Sequence, residues 1–334
     1  MSVELGEIPA DMAFIEQGVL VLESTAILLK EPGKLALDRV PIRQPDSGDL
    51  VIRVDYSGVS TGTEKLFWEG SMPPFPGMGF PLVPGYEACG EVLEADSGTG
   101  FKSGDFVFVP GANCFDGAYG LFGASARTLV SASNRVTKLD AGLGPRAALL
   151  ALAATARHAM ASGGTHLPDL IVGHGVLGRL LARLTILAGG KPPTVWEIDP
   201  LRQSGADGYR VCHPDEDEEG KYDAIYDASG NASLIDRLIS KLNKKGELVL
   251  AGFYTDRPSF SFAPAFMREA RLRVAAEWNP QDLDAIRRLI DSGEDILKDL
   301  ITHERMVAEA PQAYPTAFGD SSCLKMIFNW EGQA

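Results

Sequence analysis

The stretch "DLIVGHGVLGRLLARL" (residues 169–184) constrains the fold more than any other part of this chain. An apolar run ends in Gly173, and Gly175 and Gly178 complete a G-x-G-x-x-G spacing that opens an amphipathic helical run. Glycines in this order allow a tight turn, a close approach of the backbone to a pyrophosphate, and packing of the helix on its strand. The helix start at Val176 and Leu177 offers free N–H groups and the positive end of a dipole to that pyrophosphate. Around this motif, short apolar segments ("PTVWEID", "YDAIYDASG", "GELVLAGFY", "RLRVAAEW") mostly alternate with helical ones. That alternation predicts an α/β doubly wound parallel sheet.

The second strand of such a unit carries the acid that meets the adenosine ribose. Glu197 and Asp199 both compete for that place. Glu197 stands 24 residues after Gly173 inside the apolar run, whereas Asp199 precedes Pro200 and reads as a turn residue. Glu197 is therefore the expected ribose ligand. A carboxylate there favours NAD and repels a 2′-phosphate, although Arg202 close by is the residue type that accommodates one.

Before this region the pattern changes. "DLVIRVDYSGV" alternates with the period of a half-buried strand, and "YEACGEVLEA", "GDFVFVPG" and "ARTLVSA" follow between turn residues. The 334 residues exceed what one core usually supports, and the expected division is a β-rich domain over 1–152, a nucleotide domain over 153–277, and a return to the first domain over 278–334. The net charge of −14 argues against a nucleic-acid partner. No apolar run is long enough to cross a bilayer, and no export signal is seen. Four scattered cysteines fit a reducing cytoplasm. The acidic run "HPDEDEEGKYD" reads as a solvated loop.

The landmarks "SGVSTGTE", "PGYEACGEV", "GDFVFV", "TARHAM", "GHGVLG", "DASG", "GELVLAGF" and "DLITH", in this order over nearly the whole chain, resemble the medium-chain dehydrogenase/reductase superfamily. The resemblance implies a GroES-like β-rich catalytic domain joined to a Rossmann domain. It also implies three zinc-ligand positions, which here hold Ser60, Tyr86 and Ala151. None of these is a good zinc ligand, so a zinc-free member is expected, with no metal. The phrases "GHGVLGRLLARL", "YDASGN", "FAPAFMREARLRVAAEW" and "CLKMIFNW" are similar to the bacteriochlorophyllide a dehydrogenases. That family's reaction would be oxidation of a 3-(1-hydroxyethyl) group on a chlorophyllide-type tetrapyrrole to acetyl with NAD, as a step of bacteriochlorophyll biosynthesis. A conjugated macrocycle can spread the positive character that develops as hydride leaves, which lessens the need for a Lewis acid.

The resemblance places Thr63 at a hydroxyl-relay position and Tyr86 in the vacated metal space. Ser60, Thr61, Glu64, Glu87 and His158 are further candidates to accept the proton, His158 for its ordinary pKa near neutrality. On the cofactor side it places Thr155 and Ser229 near the nicotinamide, Gly252 at its carboxamide, and Lys325 at the pyrophosphate. The segment "LFWEGSMPPFPGMGFPLVPGY", with Phe67, Trp68, Met72, Phe75, Met78 and Phe80, has the composition of a wall for a flat apolar ligand. Phe266 and Arg268 are added to it, the arginine for a substrate carboxylate. A homodimer is expected through the strand "RLRVAAEW". Two other readings stay open: a zinc-free NADPH-dependent reductase of quinones or enones, and a non-catalytic NAD(H)-binding redox sensor.

Overall fold

A computed structural model describes residues 13–16, 19–74, 76–120, 122–161, 163 and 166–333. The chain divides into two compact units, Met1–Leu150 with Ile301–Ala334, and Ala151–Leu300. The chain thus returns to its first unit at Ile301, later than the expected 278, because helix Pro280–Asp291 is tied to the second unit by Asp282, which pairs with Arg157 and His158.

The first unit begins with β1 (Ala13–Glu16), β2 (Val19–Glu31) and β3 (Lys34–Ile42), an antiparallel three-stranded sheet. Next come β4 (Asp49–Val59), the short α1 (Thr63–Glu69), β5 (Ala88–Ala95), β6 (Phe106–Val109), β7 (Thr128–Ala132) and β8 (Thr137–Lys138). In β4, Leu50, Ile52 and Val54 are buried and Arg53 and Asp55 less so, as the alternation predicts, but Val51 is buried too and Tyr56 only half-buried. Gly90 of β5 has a structural reason: a Cβ there would lie 1.9 Å from the Arg53 carbonyl oxygen.

In the second unit, α2 (Leu150–Ala161) leads into β9 (Leu170–Val172), α3 (Val176–Leu187), β10 (Thr194–Trp196), β11 (Arg210–Cys212), β12 (Tyr222–Asp227), α4 (Ile235–Lys241), β13 (Leu242–Leu250), α5 (Phe262–Arg268), β14 (Arg271–Val274) and α6 (Pro280–Asp291). Its strands pair in parallel in the order β11-β10-β9-β12-β13-β14. Counted from β9 this is 3-2-1-4-5-6, the doubly wound dinucleotide-binding order. All three residues of β9 and of β10 are buried, which is why these strands read as continuous apolar runs.

The chain re-enters the first unit with β15 (His303–Met306), α7 (Ala310–Gly319) and β16 (Met326–Asn329). There β16 pairs with β4 and extends the larger sheet to the order β15-β16-β4-β5-β6-β8. Among the described residues no helix is long and apolar enough to cross a membrane. The acidic run is mostly exposed, as expected, but not at Asp217. Asp217 is buried because its carboxylate accepts hydrogen bonds from Trp196 Nε1 (3.0 Å) and the Tyr222 hydroxyl (2.7 Å).

Candidate active site

In the first unit, β4 ends at Val59 and the chain turns through Ser60 into α1. The Ser60 hydroxyl sits 2.7 Å from the Tyr86 hydroxyl and 3.1 Å from Thr63 Oγ1. Ser60 Oγ also accepts the Thr63 N–H at 3.3 Å. Three hydroxyls from two segments thus form one connected cluster. Tyr86 is placed by Gly85, whose φ of +96° excludes a larger residue, as does Ser125 Oγ, which a Cβ there would meet at 2.4 Å. Its ring packs edge-on against Phe122 at 5.3 Å. Burial, and next the charge of Glu87, push the phenol far above its ordinary range. Tyr86 therefore stays protonated at neutral pH and is no base.

Two carboxylates lie behind this cluster. Glu64 Oε2 accepts the Ser60 N–H at 3.0 Å, and Oε1 accepts the hydroxyl of Tyr314 from α7. Burial lifts Glu64 to about 7, against the lowering effect of these two hydrogen bonds. Glu87 is fully buried, and Lys325 donates to its Oε2. Burial raises this carboxyl while Lys325 opposes the rise. Its other oxygen, Oε1, has no hydrogen-bond partner among the described residues. Gly58 makes room for the pair, since a Cβ there would stand 2.7 Å from Glu87 Oε2.

Several expectations are corrected here. Lys325 is 2% exposed and committed to Glu87, so it is an internal counter-ion in place of the expected pyrophosphate ligand. Phe67 and Met72 are core residues packed with Leu29 and Leu82, and Trp68 packs on Tyr314 and Phe318. Met78 and Phe80 stay half-buried at the edge of that cluster, and Phe75 lies outside the described residues.

In the second unit the glycine motif has the geometry that its spacing implies. Gly173 takes a φ of +95°, and a Cβ on Gly178 would lie 1.9 Å from the Gly173 carbonyl oxygen. A Cβ on Gly175 would meet nothing within 4 Å, and Gly175 gives α3 no side-chain cap. Open space and uncapped N–H groups of Val176 and Leu177 are what a pyrophosphate needs. Glu197, buried just beyond β10, accepts the His174 N–H on one oxygen and the Asp199 N–H on the other, both at 2.9 Å. Each oxygen keeps a lone pair for a ribose hydroxyl. These residues fit a dinucleotide.

Ser229 lies beside Gly173, within 3.4 Å of where its Cβ would be, and donates N–H and O–H to Asp227 Oδ1 at 2.8 and 2.6 Å. Tyr254 donates to the other oxygen of Asp227. Gly252 is pressed on Gly230, where a Cβ would come within 2.6 Å of an amide nitrogen. Thr155 Oγ1 donates to the Ala151 carbonyl at 2.9 Å, one turn back along α2. His158 is a structural tie: its Nδ1 stands 2.7 Å from Asp282 Oδ2, whose other oxygen takes Arg157. Asp282 also closes a capping box with Asn279 at the start of α6. Arg268 spends its guanidinium on the carbonyls of Ser240, Leu242 and Pro264, which makes it a poor substrate-carboxylate ligand. Phe266 is exposed on α5.

Sequence reasoning missed His174, Arg179, Tyr209, Asp227, Tyr254 and Tyr314. For His174 and Arg179 a signal existed, because a histidine and an arginine inside a glycine motif need partners. Tyr314, 250 residues from Glu64, had none. The metal positions are plain in the structure: Ser60 and Tyr86 bond to each other, Ala151 has no donor atom, and no group of three His, Cys, Asp or Glu suited to a metal occurs among the described residues. This donor set does not fit zinc.

A family model for the alcohol dehydrogenase GroES-like domain matches residues 46–141. The chain is similar to 2-desacetyl-2-hydroxyethyl bacteriochlorophyllide A dehydrogenase of Rhodobacter capsulatus, 59% identical over 93% of this chain and 99% of that protein. The enzyme of the same description from Cereibacter sphaeroides is 56% identical over 94% and 100%. Among solved structures, L-idonate 5-dehydrogenase of Escherichia coli superposes with a TM-score of 0.81 over 93% of this chain and 99% of that one, at 18% identity. A short chain alcohol dehydrogenase from E. coli CFT073, complexed with cofactor NADH, superposes with a TM-score of 0.78 over 92% and 99%, at 19% identity.

Proposed function

The chain belongs to the family of 2-desacetyl-2-hydroxyethyl bacteriochlorophyllide A dehydrogenases, and from that premise we propose that it oxidises the hydroxyethyl side chain of a chlorophyllide-type tetrapyrrole to acetyl, with NAD and without zinc. It is an oxidoreductase acting on CH–OH, and its cofactor is a nicotinamide dinucleotide. A dinucleotide held at Gly173, Gly175, Gly178 and Glu197 would supply the hydride acceptor for the carbinol carbon. The hydroxyl proton leaves as the C=O bond forms, so one alcohol and one NAD⁺ give one ketone, one NADH and one proton.

The observation that carries the zinc-free reading is the hydrogen-bonded pair Ser60–Tyr86 at two of the ligand positions, with Thr63 joined to Ser60. Tyr86, held protonated, can donate a hydrogen bond to an oxygen and does not take a proton. Ser60 and Thr63 can pass one along, since each hydroxyl both donates and accepts. Glu64 holds the Ser60 amide and so fixes where that relay begins. The preference for NAD is read from Glu197, whose two oxygens are already aligned by main-chain N–H groups. Thr155 and Ser229 are the proposed neighbours of the nicotinamide. A homodimer is proposed through β14, an edge strand whose Leu272 and Val274 side chains are exposed; light scattering checks its mass.

Metal analysis combined with turnover tests the zinc-free claim. The chain dialysed against a chelator should contain less than about 0.1 zinc per protomer and keep full activity, since a catalytic zinc contributes several kcal/mol. Activity that is lost with the chelator and restored by zinc would refute it.

A further inference from the structure

Beyond Glu197, the chain between β10 and β11 makes a turn in which three main-chain amides, and three carbonyls held by Arg179, are engaged from within the second unit. Asp199 N–H goes to Glu197 Oε1 (2.9 Å), Leu201 N–H to Asp199 Oδ1 (2.9 Å), and Arg202 N–H to the Asp199 carbonyl (3.0 Å). Residue 200 is proline and has no N–H. The carbonyls of the same turn are held by two side chains of the glycine motif. Arg179, 7% exposed, donates to the carbonyls of Arg202 (3.3 Å), Ser204 (2.8 Å) and Gly205 (3.0 Å) in the turn, and to the His174 carbonyl of its own motif (3.1 Å). These four partners are all main-chain oxygens. His174, fully buried, has Nδ1 2.6 Å from the Arg202 carbonyl and Nε2 2.8 Å from the Tyr209 hydroxyl.

A carbonyl only accepts, so Nδ1 carries the proton and Nε2 accepts from Tyr209. Burial lowers the His174 pKa to about 4, which keeps that neutral form at physiological pH. Gly205, with a φ of +80°, lets the guanidinium in: a Cβ there would be 2.4 Å from Arg179 Nη1.

We propose that Arg179 and His174 act as a strap that makes this turn select an unmodified ribose, so that they are positioning residues for cofactor selectivity. This rests on the NAD reading above. A 2′-phosphate is bound by cations and by unengaged main-chain N–H groups. In the strapped turn the amides of residues 199, 201 and 202 are taken, and the carboxylate of Glu197 stands where the extra charge would go. Two donors pin the Arg202 main chain, so the root of the nearby arginine is fixed as well. Cutting the strap frees the turn to reorganise around a phosphate.

The test measures dissociation constants of NADH and NADPH by fluorescence titration, without substrate, on the full chain and on His174→Ala, Arg179→Met and Tyr209→Phe. His174→Ala keeps the 174 N–H to Glu197, and Tyr209→Phe removes a single hydroxyl, so these two read the strap even if Arg179→Met fails to fold. The expected result is a fall of about tenfold in the NADPH-to-NADH ratio of dissociation constants for His174→Ala, with a smaller fall for Tyr209→Phe, as expected from losing one or two buried hydrogen bonds. Equal weakening of both cofactors, or no change in either, would overturn the strap. A wild-type chain that prefers NADPH overturns the NAD reading itself. A wild type that prefers NADH and keeps its ratio in all three variants overturns the strap alone.

Discussion

Tyr86 shows how one substitution changes the chemistry of a position. A phenol in place of a metal-binding imidazole cannot hold zinc, and its burial keeps it protonated. Tyr86→Phe should lower turnover about tenfold with little effect on cofactor affinity, and Thr63→Ala about tenfold or more, as relay groups do. Steady-state kinetics decides this, and near-normal turnover for Thr63→Ala would remove the relay. Glu64 gives a pH signature. Its folded pKa, about 7, lies above its ordinary 4.5, so between these values the folded chain binds a proton that the unfolded chain has released. Stability from this carboxyl is therefore full below about pH 4.5 and is lost as the pH rises to about 7, by up to about 1.4 kcal/mol per pH unit. Denaturant midpoints at pH 5 and pH 7.5 should show that slope in the wild type and a shallower one in Glu64→Gln. Lys325→Met should destabilise by about 3–5 kcal/mol, because it strands Glu87 as an uncompensated buried charge.

At the scale of elements, the glycine motif separates packing from binding. Gly178→Ala forces a Cβ to within 1.9 Å of the Gly173 oxygen, whereas Gly175→Ala meets nothing within 4 Å. Thermal unfolding should fall by several degrees for the first and stay within about 2 °C for the second. NADH affinity should fall about tenfold or more for Gly175→Ala, because its methyl occupies the pyrophosphate's place. This strand–turn–helix was legible from sequence because its physics is local: spacing, φ sign and helix end all lie within ten residues. The region around Phe67 and Met72 was not. Its composition reports apolarity without direction, and only the folded chain shows these side chains turned onto Leu29 and Leu82. The Lys325–Glu87 pair spans 238 residues, so no local pattern could reveal it, and a lysine on a late strand looked free. The partner of His158, Asp282, is 124 residues away, so its structural role has no local signal either.

For the whole molecule, the order of landmarks along the chain carried the two-unit architecture, and the sheet order 3-2-1-4-5-6 agrees with it. The hydroxyl cluster belongs to the first unit and the dinucleotide motif to the second. The central claim is that this chain takes a hydride from the hydroxyethyl group of a chlorophyllide-type macrocycle and gives it to NAD⁺ without a metal. The most direct measurement mixes the purified chain with NAD⁺, a chelator and a 3-(1-hydroxyethyl) chlorophyllide, and records the long-wavelength absorption band together with NADH. A red shift of the band, with one NADH formed per macrocycle converted, is the expected result. Absence of both changes with NAD⁺, while NADPH reduces a quinone or an enone on the same chain, would contradict the account.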